Sequence, residues 1–262
     1  MLLLIDIGNT STTIGIYDNG VMNTLRLDSH IKIRDASGYS SIIRNFVGQG
    51  HEGKPAGAVM CSVVPGLTPL FMEAVRTSYG IEPLNVDHSL KTGLKFSVKD
   101  PEELGADRIA SAVAGRNLYT GDLIVVDFGT ATTFCVITAD NEYKGGSIMP
   151  GLGISADVLA EKTAKLPRVE LKAPDKVPGD TPESNLLSGI ILGHAGAVER
   201  IIKEIKKELF SEKTERAGQS AEISVIATGG YADLVVPYIE GVKEINRFLT
   251  LEGLRIIYEL NI

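Results

Sequence analysis

Two short acidic turns in this sequence carry the residue types that bind phosphate groups and metal ions. Asp6-Ile7-Gly8-Asn9-Thr10 follows an apolar run near the start of the chain, and Asp127-Phe128-Gly129-Thr130 follows a second apolar run near its middle. In such turns, backbone N–H groups and hydroxyls bind phosphate oxygens, while the carboxylate holds Mg²⁺ or its waters. A plain tight turn explains either copy alone. The two copies together favour a pair of loops that bind one polyphosphate.

A second candidate site is Gly105-Ala106-Asp107-Arg108, early in a predicted helix that begins at Pro101 with Asp100 as its N-cap. Asp107 and Arg108 point away from the apolar face of this helix, so they form a solvated surface or act as a general base beside an anion anchor. Gly105 costs about 1 kcal/mol relative to alanine inside a helix, which predicts a close approach to the backbone there. The predicted apolar face consists of Ala106, Ile109, Ala110 and Val113.

Two further positions are candidate site residues with a weaker sequence signal. Gly229 lies in Ala227-Thr228-Gly229-Gly230, between a predicted strand and a helix, where a glycine turn forms a nucleotide site or simply a turn. Thr181 precedes Pro182 at the start of a long predicted helix and suits its N-cap position. Three glycines leave one face of that helix bare, which predicts close helix packing within the chain or between subunits: Gly189, Gly193 and Gly196.

The elements that must position these residues are repeated along the chain. Residues 2–12 align without gaps on residues 123–133, and each copy is an apolar run, Asp-x-Gly, hydroxyl residues and a second apolar run. This pattern predicts a β-hairpin with a polar tip. After each hairpin, strand-like and helix-like segments alternate. The chain is therefore predicted to form two α/β domains, residues 1–119 and 120–262, with a cleft between them.

The periodicity also predicts the individual elements. Strands are expected at 21–27, 56–64, 143–149 and 223–227. Helices are expected at 39–47, 67–79, 101–119, 154–165, 182–210, 231–239 and 249–260, and residues 169–180 are expected to form a loop.

Composition narrows the class of protein. The 262 residues are 44% hydrophobic and 23% charged with a formal net charge of −7, as in a globular protein rather than a nucleic-acid or anionic-membrane binder. Because this net charge repels anions, any phosphate site must bind through the local arrangement of its N–H groups and hydroxyls. The apolar strands around Cys61 and Cys135 suggest buried thiols in a reducing cytoplasm. No run reaches the roughly 20 apolar residues of a membrane span, so we expect a soluble cytoplasmic protein.

Taken together, these motifs resemble those of the type III pantothenate kinases, members of the actin-like superfamily that includes acetate and sugar kinases. The resemblance implies an α/β fold of two ribonuclease-H-like (actin-like ATPase) domains with an interdomain cleft, and phosphoryl transfer from ATP to pantothenate. It runs over nearly the whole chain and rests on the turns above together with Ser62-Val63-Val64-Pro65, Gly145-Gly146, Pro150-Gly151, Thr163-Ala164-Lys165-Leu166-Pro167 and Leu249-Thr250-Leu251-Glu252-Gly253-Leu254.

The resemblance also implies roles for individual residues. Asp107 would be the general base, Asp127 would hold a monovalent cation (K⁺ or NH₄⁺), and Mg²⁺ would accompany ATP, with Asp6 as a candidate ligand. Thr181 would reach the substrate of the neighbouring subunit in a homodimer. ATP would be bound by Asp6, Ile7, Gly8, Asn9, Thr10, Ser11, Thr12, Thr13 and Thr130, and pantothenate by Gly105, Ala106, Asp107 and Arg108.

This chain differs from the family pattern at two places, and two other functions stay open. Val98 stands where the family often has tyrosine, and Gly179-Asp180 where it usually has Lys-Asn. One alternative is an actin-like phosphotransferase or phosphatase with another acceptor. The other is a non-catalytic ATP-binding regulator, which the acidic charge balance and the presence of Asp107 disfavour.

Overall fold

The computed structural model describes residues 1–28, 35–49, 53–217 and 223–262, and the side chains of all of these except 210–217. The described chain forms two compact units. One consists of Met1–Ala114 together with Phe248–Ile262, and the other of Gly115–Arg247. These units differ from the domains expected from the sequence, 1–119 and 120–262, chiefly because the C-terminal segment belongs to the first unit.

The elements alternate between strands and helices along the chain. Up to residue 118 they are β1 (Leu2–Ile7), β2 (Ser11–Asp18), β3 (Val21–Asp28), α1 (Ala36–Gly48), β4 (Gly57–Ser62), α2 (Thr68–Tyr79), β5 (Leu84–Asn85), β6 (Lys95–Phe96) and α3 (Ala106–Leu118). After it they are β7 (Leu123–Phe128), β8 (Ala131–Ile137), β9 (Glu142–Gly145), β10 (Ile148–Pro150), α4 (Leu152–Lys162), α5 (Pro182–Ala217), β11 (Ser224–Thr228), α6 (Ala232–Val235), β12 (Glu244–Ile245) and α7 (Leu249–Asn261).

The first sheet has the strand order β3-β2-β1-β4-β5, with β2 antiparallel and β4 parallel to β1. Side chains of β1 alternate between its two faces. Leu3 and Ile5 pack with α1 and α2 on one face, and Leu2 and Leu4 pack with α3 and α7 on the other. Because both faces are covered, β1 is an almost continuous apolar run, and Asp6 lies where that run ends.

The second sheet repeats this arrangement. Its strands β9-β8-β7-β11-β12 correspond in order to β3-β2-β1-β4-β5, and again one neighbour of the central strand is antiparallel and the other parallel. The core against one face of β7 is supplied by α4, α5 and α6. The internal repeat in the sequence is therefore a repeat of the sheet, and both predicted hairpins are confirmed.

The two hairpin tips differ by one residue, so the gap-free alignment of residues 2–12 on 123–133 is wrong beyond the turn. Thr13 pairs with Asp6 in the first hairpin, whereas Thr133 pairs with Asp127 in the second. The first tip is thus one residue longer. Burial agrees with this register, because Thr12 and Thr132 are both buried.

Three predicted elements need correction. The helix expected at 101–119 is a 3₁₀ turn at Pro101–Glu103 followed by α3, and Asp100 makes no side-chain cap bond. The strand expected at 143–149 is interrupted between β9 and β10. The helix expected at 231–239 is only α6 followed by a 3₁₀ turn at Val236–Tyr238, because Pro237 lacks the N–H that a longer helix needs.

The last helix packs on the first sheet, against α3. Gly253 of α7 lies against the backbone of Ala110, where any side chain at position 253 would collide. The hydroxyls of Ser111 and Thr250 form a hydrogen bond of 3.0 Å nearby. Within the described ranges, no helix is both long and apolar enough to cross a membrane.

Candidate active site

The tip of the first hairpin presents Asp6 beside the start of a tight turn. The N–H of Gly8 donates to the carbonyl of Ser11 at 3.0 Å, which closes the turn. A Cβ at Gly8 would lie 3.0 Å from the same carbonyl oxygen, so the turn favours glycine. Asn9 and Thr10 at the tip are exposed, whereas Ile7 is buried in the sheet. Of the predicted ATP-binding residues, those at the tip are thus presented to solvent on a fixed backbone.

Asp107 lies in the first turn of α3, where the helix N-terminus favours negative charge. Its Oδ1 accepts a hydrogen bond from the backbone N–H of Arg108 at 2.8 Å. Asp107 and Arg108 are both partly buried, which argues against a simple solvated face. The apolar face predicted for this helix is confirmed, because Ala106, Ile109, Ala110 and Val113 are all buried.

Gly105 precedes α3 rather than lying inside it, so the helix-propensity argument made from the sequence does not apply. The expected close approach to the backbone is nevertheless present. A Cβ at position 105 would lie 2.6 Å from Oδ1 of Asp107, and 3.7 Å from Cγ1 of Val63. The missing side chain therefore makes room for the Asp107 carboxylate itself.

Two carboxylates of the first unit influence each other. Burial, and then the charge of Asp107, raises the pKa of Asp6 to about 7, while a hydrogen bond from Cys61 opposes the shift. Burial also raises the pKa of Asp107, and the N–H and charge of Arg108 oppose that shift. Perturbed carboxyl groups in one place are typical of functional sites. They suit a general base next to a cation-binding group.

The second hairpin brings Asp127, Thr130 and Gly229 together within the second unit. Gly229 has a φ of +95°, and a side chain there would collide with the Asp127 carboxylate and the backbone of Phe128. The carbonyl oxygen of Phe128 accepts from the N–H of Tyr231 at 3.1 Å. The turn at Gly229 therefore packs directly on the Asp127 turn.

His194 is not among the site residues predicted from the sequence. It is buried, and its Nε2 forms a hydrogen bond of 2.9 Å with Oγ1 of Thr132, just after the second hairpin tip. Burial lowers the pKa of His194, which favours the neutral ring. A lone histidine in a glycine-rich helix carries no spacing signal, so only the structure reveals this contact.

Thr181 is exposed, and its Oγ1 accepts from the N–H of Ser184 at 3.1 Å, which is an N-cap bond for α5. Along α5, a Cβ placed at Gly189, Gly193 or Gly196 would meet no atom of the described chain within 4 Å beyond the adjacent residues and backbone of its own helix. The glycine face is thus open in the single chain. A cavity of about 500 Å³ borders it, and its lining includes Met149, Ser155, Leu159, Asn185, Gly189, Gly193 and His194.

The predicted residues therefore form separate groups. In the first unit, the Asp6–Thr13 turn lies near Gly105-Ala106-Asp107-Arg108, since the charges of Asp6 and Asp107 interact. In the second unit, Asp127, Thr130 and Gly229 are grouped, and Thr181 begins α5. Among the described residues, no group of three or more His, Cys, Asp or Glu side chains is arranged to hold a metal ion.

Comparison with known proteins gives a consistent result. The family model for type III pantothenate kinase matches residues 2–204. A type III pantothenate kinase from Roseiflexus sp. (strain RS-1) is 43% identical over 268 residues, covering 100% of this chain and 99% of that protein.

Two solved structures share the fold at low identity. One, described as a Baf family transcriptional activator from Campylobacter jejuni, has a TM-score of 0.58 at 20% identity over 98% of this chain and 97% of that one. The other, a ROK hexokinase from Thermus thermophilus, has a TM-score of 0.50 at 12% identity over 98% and 97%. Together with the sheet order, they confirm an α/β fold of two ribonuclease-H-like domains of the actin-like ATPase type.

Proposed function

We infer that this chain, which belongs to the type III pantothenate kinase family, transfers the γ-phosphoryl group of ATP to the primary hydroxyl of pantothenate. This reaction begins coenzyme A biosynthesis. The observation that carries the chemistry is the Asp107 carboxylate, held at the N-terminus of α3 in space that Gly105 leaves open.

We propose that Asp107 is the general base. It accepts the proton of the pantothenate hydroxyl, whose oxygen forms a bond to the γ-phosphorus while the bond to the bridging oxygen of ADP breaks. Partial burial raises the pKa of Asp107, which makes its carboxylate a stronger proton acceptor. Gly105, Ala106 and Arg108 surround this group and are the proposed contacts of pantothenate, with the Arg108 guanidinium suited to the substrate carboxylate.

The proposed ATP-binding residues are those of the turn from Asp6 to Thr13 in the first unit, and Thr130 and Gly229 in the second. Backbone N–H groups at such turns bind phosphate oxygens without any excess of basic side chains, which suits a chain with a net charge of −7.

Asp6 fits a Mg²⁺ ion that accompanies ATP. Its carboxylate is desolvated and lies close enough to Asp107 for their charges to interact, so a bound cation would offset an unfavourable pair of charges. One protein carboxylate, with waters and phosphate oxygens completing the shell, is a common way of binding Mg²⁺. When bound, the ion would neutralise charge on the phosphates, while Asp6 fixes its position.

Asp127 is the proposed ligand of a monovalent cation, K⁺ or NH₄⁺. Its carboxylate lies against Gly229, and the carbonyl oxygens of Gly129 and Thr130 crowd Gly151 close by. A carboxylate among backbone carbonyls is a set of oxygen donors suited to a hard cation.

We propose that the protein works as a homodimer in which Thr181 of one subunit contacts pantothenate in the other. The open glycine face of α5 and the neighbouring exposed apolar side chains support a subunit contact here. These exposed side chains are Ile148, Ile154, Val158 and Leu159. Oγ1 of Thr181 accepts the capping bond from the N–H of Ser184 and lies 2.9 Å from Oγ of Ser184, where either hydroxyl could be the donor. Rotation of the exposed Thr181 hydroxyl would let it donate to a substrate instead. We expect the enzyme in the cytoplasm, with no nucleic acid or membrane as partner.

A coupled assay of ADP release with ATP, Mg²⁺ and pantothenate tests the function directly, and a panel of other alcohols tests the acceptor. Asp107→Asn should lower kcat by about 10²–10⁴-fold, the usual cost of losing a general base, and leave ATP affinity nearly unchanged. Asp100→Asn is the matched control, because Asp100 is exposed and makes no side-chain cap bond. Wild-type activity towards another alcohol but not pantothenate would refute the acceptor, and near-normal turnover by Asp107→Asn would refute the base.

A further inference from the structure

Cys61 is a fully buried side chain that the proposed mechanism has not used. It lies on β4 directly beside Asp6 of β1 in the parallel register of the first sheet. Its Sγ donates to Oδ1 of Asp6 at 3.3 Å, within the range of a sulfur hydrogen bond. The thiol therefore contacts one of the two carboxylates on which the site depends.

The thiol is the donor in this contact, and Oδ1 of Asp6 is the acceptor. A thiol that keeps its proton offers one weak donor, and the carboxylate of Asp6 offers only acceptors when ionised. The Cys61 thiol and the Asp6 carboxylate are therefore a matched donor and acceptor.

The second sheet repeats the placement. Thr228 of β11 occupies, beside Asp127 of β7, the same register position that Cys61 of β4 occupies beside Asp6. Thr228 is also buried. In both sheets, a short side chain with a donor therefore lies on the parallel neighbour of the strand that ends in Asp-x-Gly. The repetition argues for a role that either a thiol or a hydroxyl can fill.

The backbone beyond Cys61 is also tied to the site. The N–H of Val63 donates to the carbonyl of Ile7 at 3.0 Å, next to Asp6. Oγ of Ser62 accepts from the N–H of Val64 at 3.1 Å and from Oγ1 of Thr68 at 2.8 Å, which fixes the turn into α2. Cys61 therefore lies on a segment held in place on both sides of its thiol.

We propose that Cys61 is a positioning residue whose thiol orients the Asp6 carboxylate for the Mg²⁺ ion that accompanies ATP. The contact at Oδ1 restricts rotation of the Asp6 carboxylate, which would keep this ligand oriented for the ion. The proposal rests on the function proposed above and extends it to a residue that touches neither substrate nor metal.

The test compares Cys61→Ala, which removes the donor, with Cys61→Ser, which keeps one. Calorimetry would measure ATP affinity with Mg²⁺ and with EDTA, alongside kcat and the KM for pantothenate. Loss of a group that orients a metal ligand typically costs about 10–100-fold in metal affinity or activity, and a thiol is a weak donor. We expect a loss of about tenfold in Mg²⁺-dependent ATP affinity for Cys61→Ala, an unchanged affinity in EDTA, and recovery of most of the loss in Cys61→Ser.

Cys135→Ala is the matched control. Cys135 is the other buried thiol, on β8, and its Sγ accepts from the hydroxyl of Tyr143 at 3.6 Å. This variant should bind Mg²⁺ and ATP as the wild type does. If Cys61→Ala does not fold, Cys61→Thr and Cys61→Val make the same comparison with side chains of equal shape.

Three results would overturn the proposal. The first is wild-type Mg²⁺-dependent affinity in Cys61→Ala, or in Cys61→Val where Ala does not fold. The second is a donor-bearing variant as impaired as its donor-free counterpart. The third is an equal loss of ATP affinity with Mg²⁺ and with EDTA, which would indicate a merely structural effect. Failure of the wild type to phosphorylate pantothenate would refute the proposed function instead, because the affinity measurements do not depend on the acceptor.

Discussion

Replacing Gly105 by alanine should lower turnover without unfolding the protein. A Cβ at this position would lie 2.6 Å from Oδ1 of Asp107, whereas carbon–oxygen contacts need about 3.3 Å. The carboxylate must therefore move by roughly 0.7 Å, and a misplacement of about 1 Å can cost about 10²-fold in rate. We expect kcat to fall by about 10- to 100-fold.

The cost in stability should be small, because the group that must move is the end of a side chain. Gly105 is not among the residues of the described chain with positive φ, so alanine can adopt its backbone conformation. In that case alanine restricts the unfolded chain and offsets strain by about 0.4–1 kcal/mol. The melting temperature of Gly105→Ala should thus stay close to that of the wild type.

Steady-state kinetics and a double-mutant cycle with Asp107→Asn test this reasoning. If alanine acts by displacing Asp107, it should cost little more in a chain that already lacks the carboxylate. Gly66→Ala is the control, since a Cβ there meets nothing within 4 Å in the described part of the chain. Near-normal kcat in Gly105→Ala, or losses that add in the double variant, would refute the argument.

Three further predictions concern the cations, the dimer and pH. Replacing K⁺ by Na⁺ or Tris should slow turnover, and Asp127→Ala should erase the difference; equal rates in all buffers would exclude a specific cation. Mixing Asp107→Asn with Thr181→Ala chains should restore activity above either parent if sites are shared across a dimer, and full activity of a monomer in sedimentation would rule sharing out. The folded-state pKa of Asp6 is raised from 3.8 to about 7, so the metal-free protein loses stability as pH rises between these values. The melting temperature of Asp6→Asn relative to that of the wild type should therefore increase as pH rises from 3.8 to about 7, and a difference that does not change with pH would contradict the shift.

The hairpins were predictable from the sequence because β1 and β7 are each buried on both faces. Each apolar run ends at an Asp-x-Gly turn. A long apolar run that stops at a charged residue leaves little freedom in where the strand ends. The turn between β2 and β3 was predictable from its Asn-Gly pair, because these residues tolerate positive φ. Asn19 and Gly20 both have positive φ, 48° and 84°, as a tight hairpin turn requires.

The features that the sequence did not reveal depend on tertiary contacts. The extra residue in the first hairpin tip follows from strand register, which composition does not encode. α3 begins at Ala106, beyond the capping pattern at Asp100, and Asp107 occupies the room beside Gly105. The pairing of Cys61 with Asp6 joins residues 55 positions apart. Such a contact follows from the parallel pairing of β1 with β4, which leaves no local signal.

The helix α7 belongs to the first unit but follows the second unit in the chain, so the order of synthesis affects folding. Residues 115–247 are contiguous and leave the ribosome before Leu254 and Ile257, which bury part of the first sheet. Part of one face of β1 and β4 therefore stays uncovered until residues 115–247 have been made, because α7 follows them in the chain. Exposed apolar sheet surface of this kind promotes aggregation of nascent chains. The yield of folded protein should accordingly depend on translation speed and on chaperones that cover this face until α7 emerges.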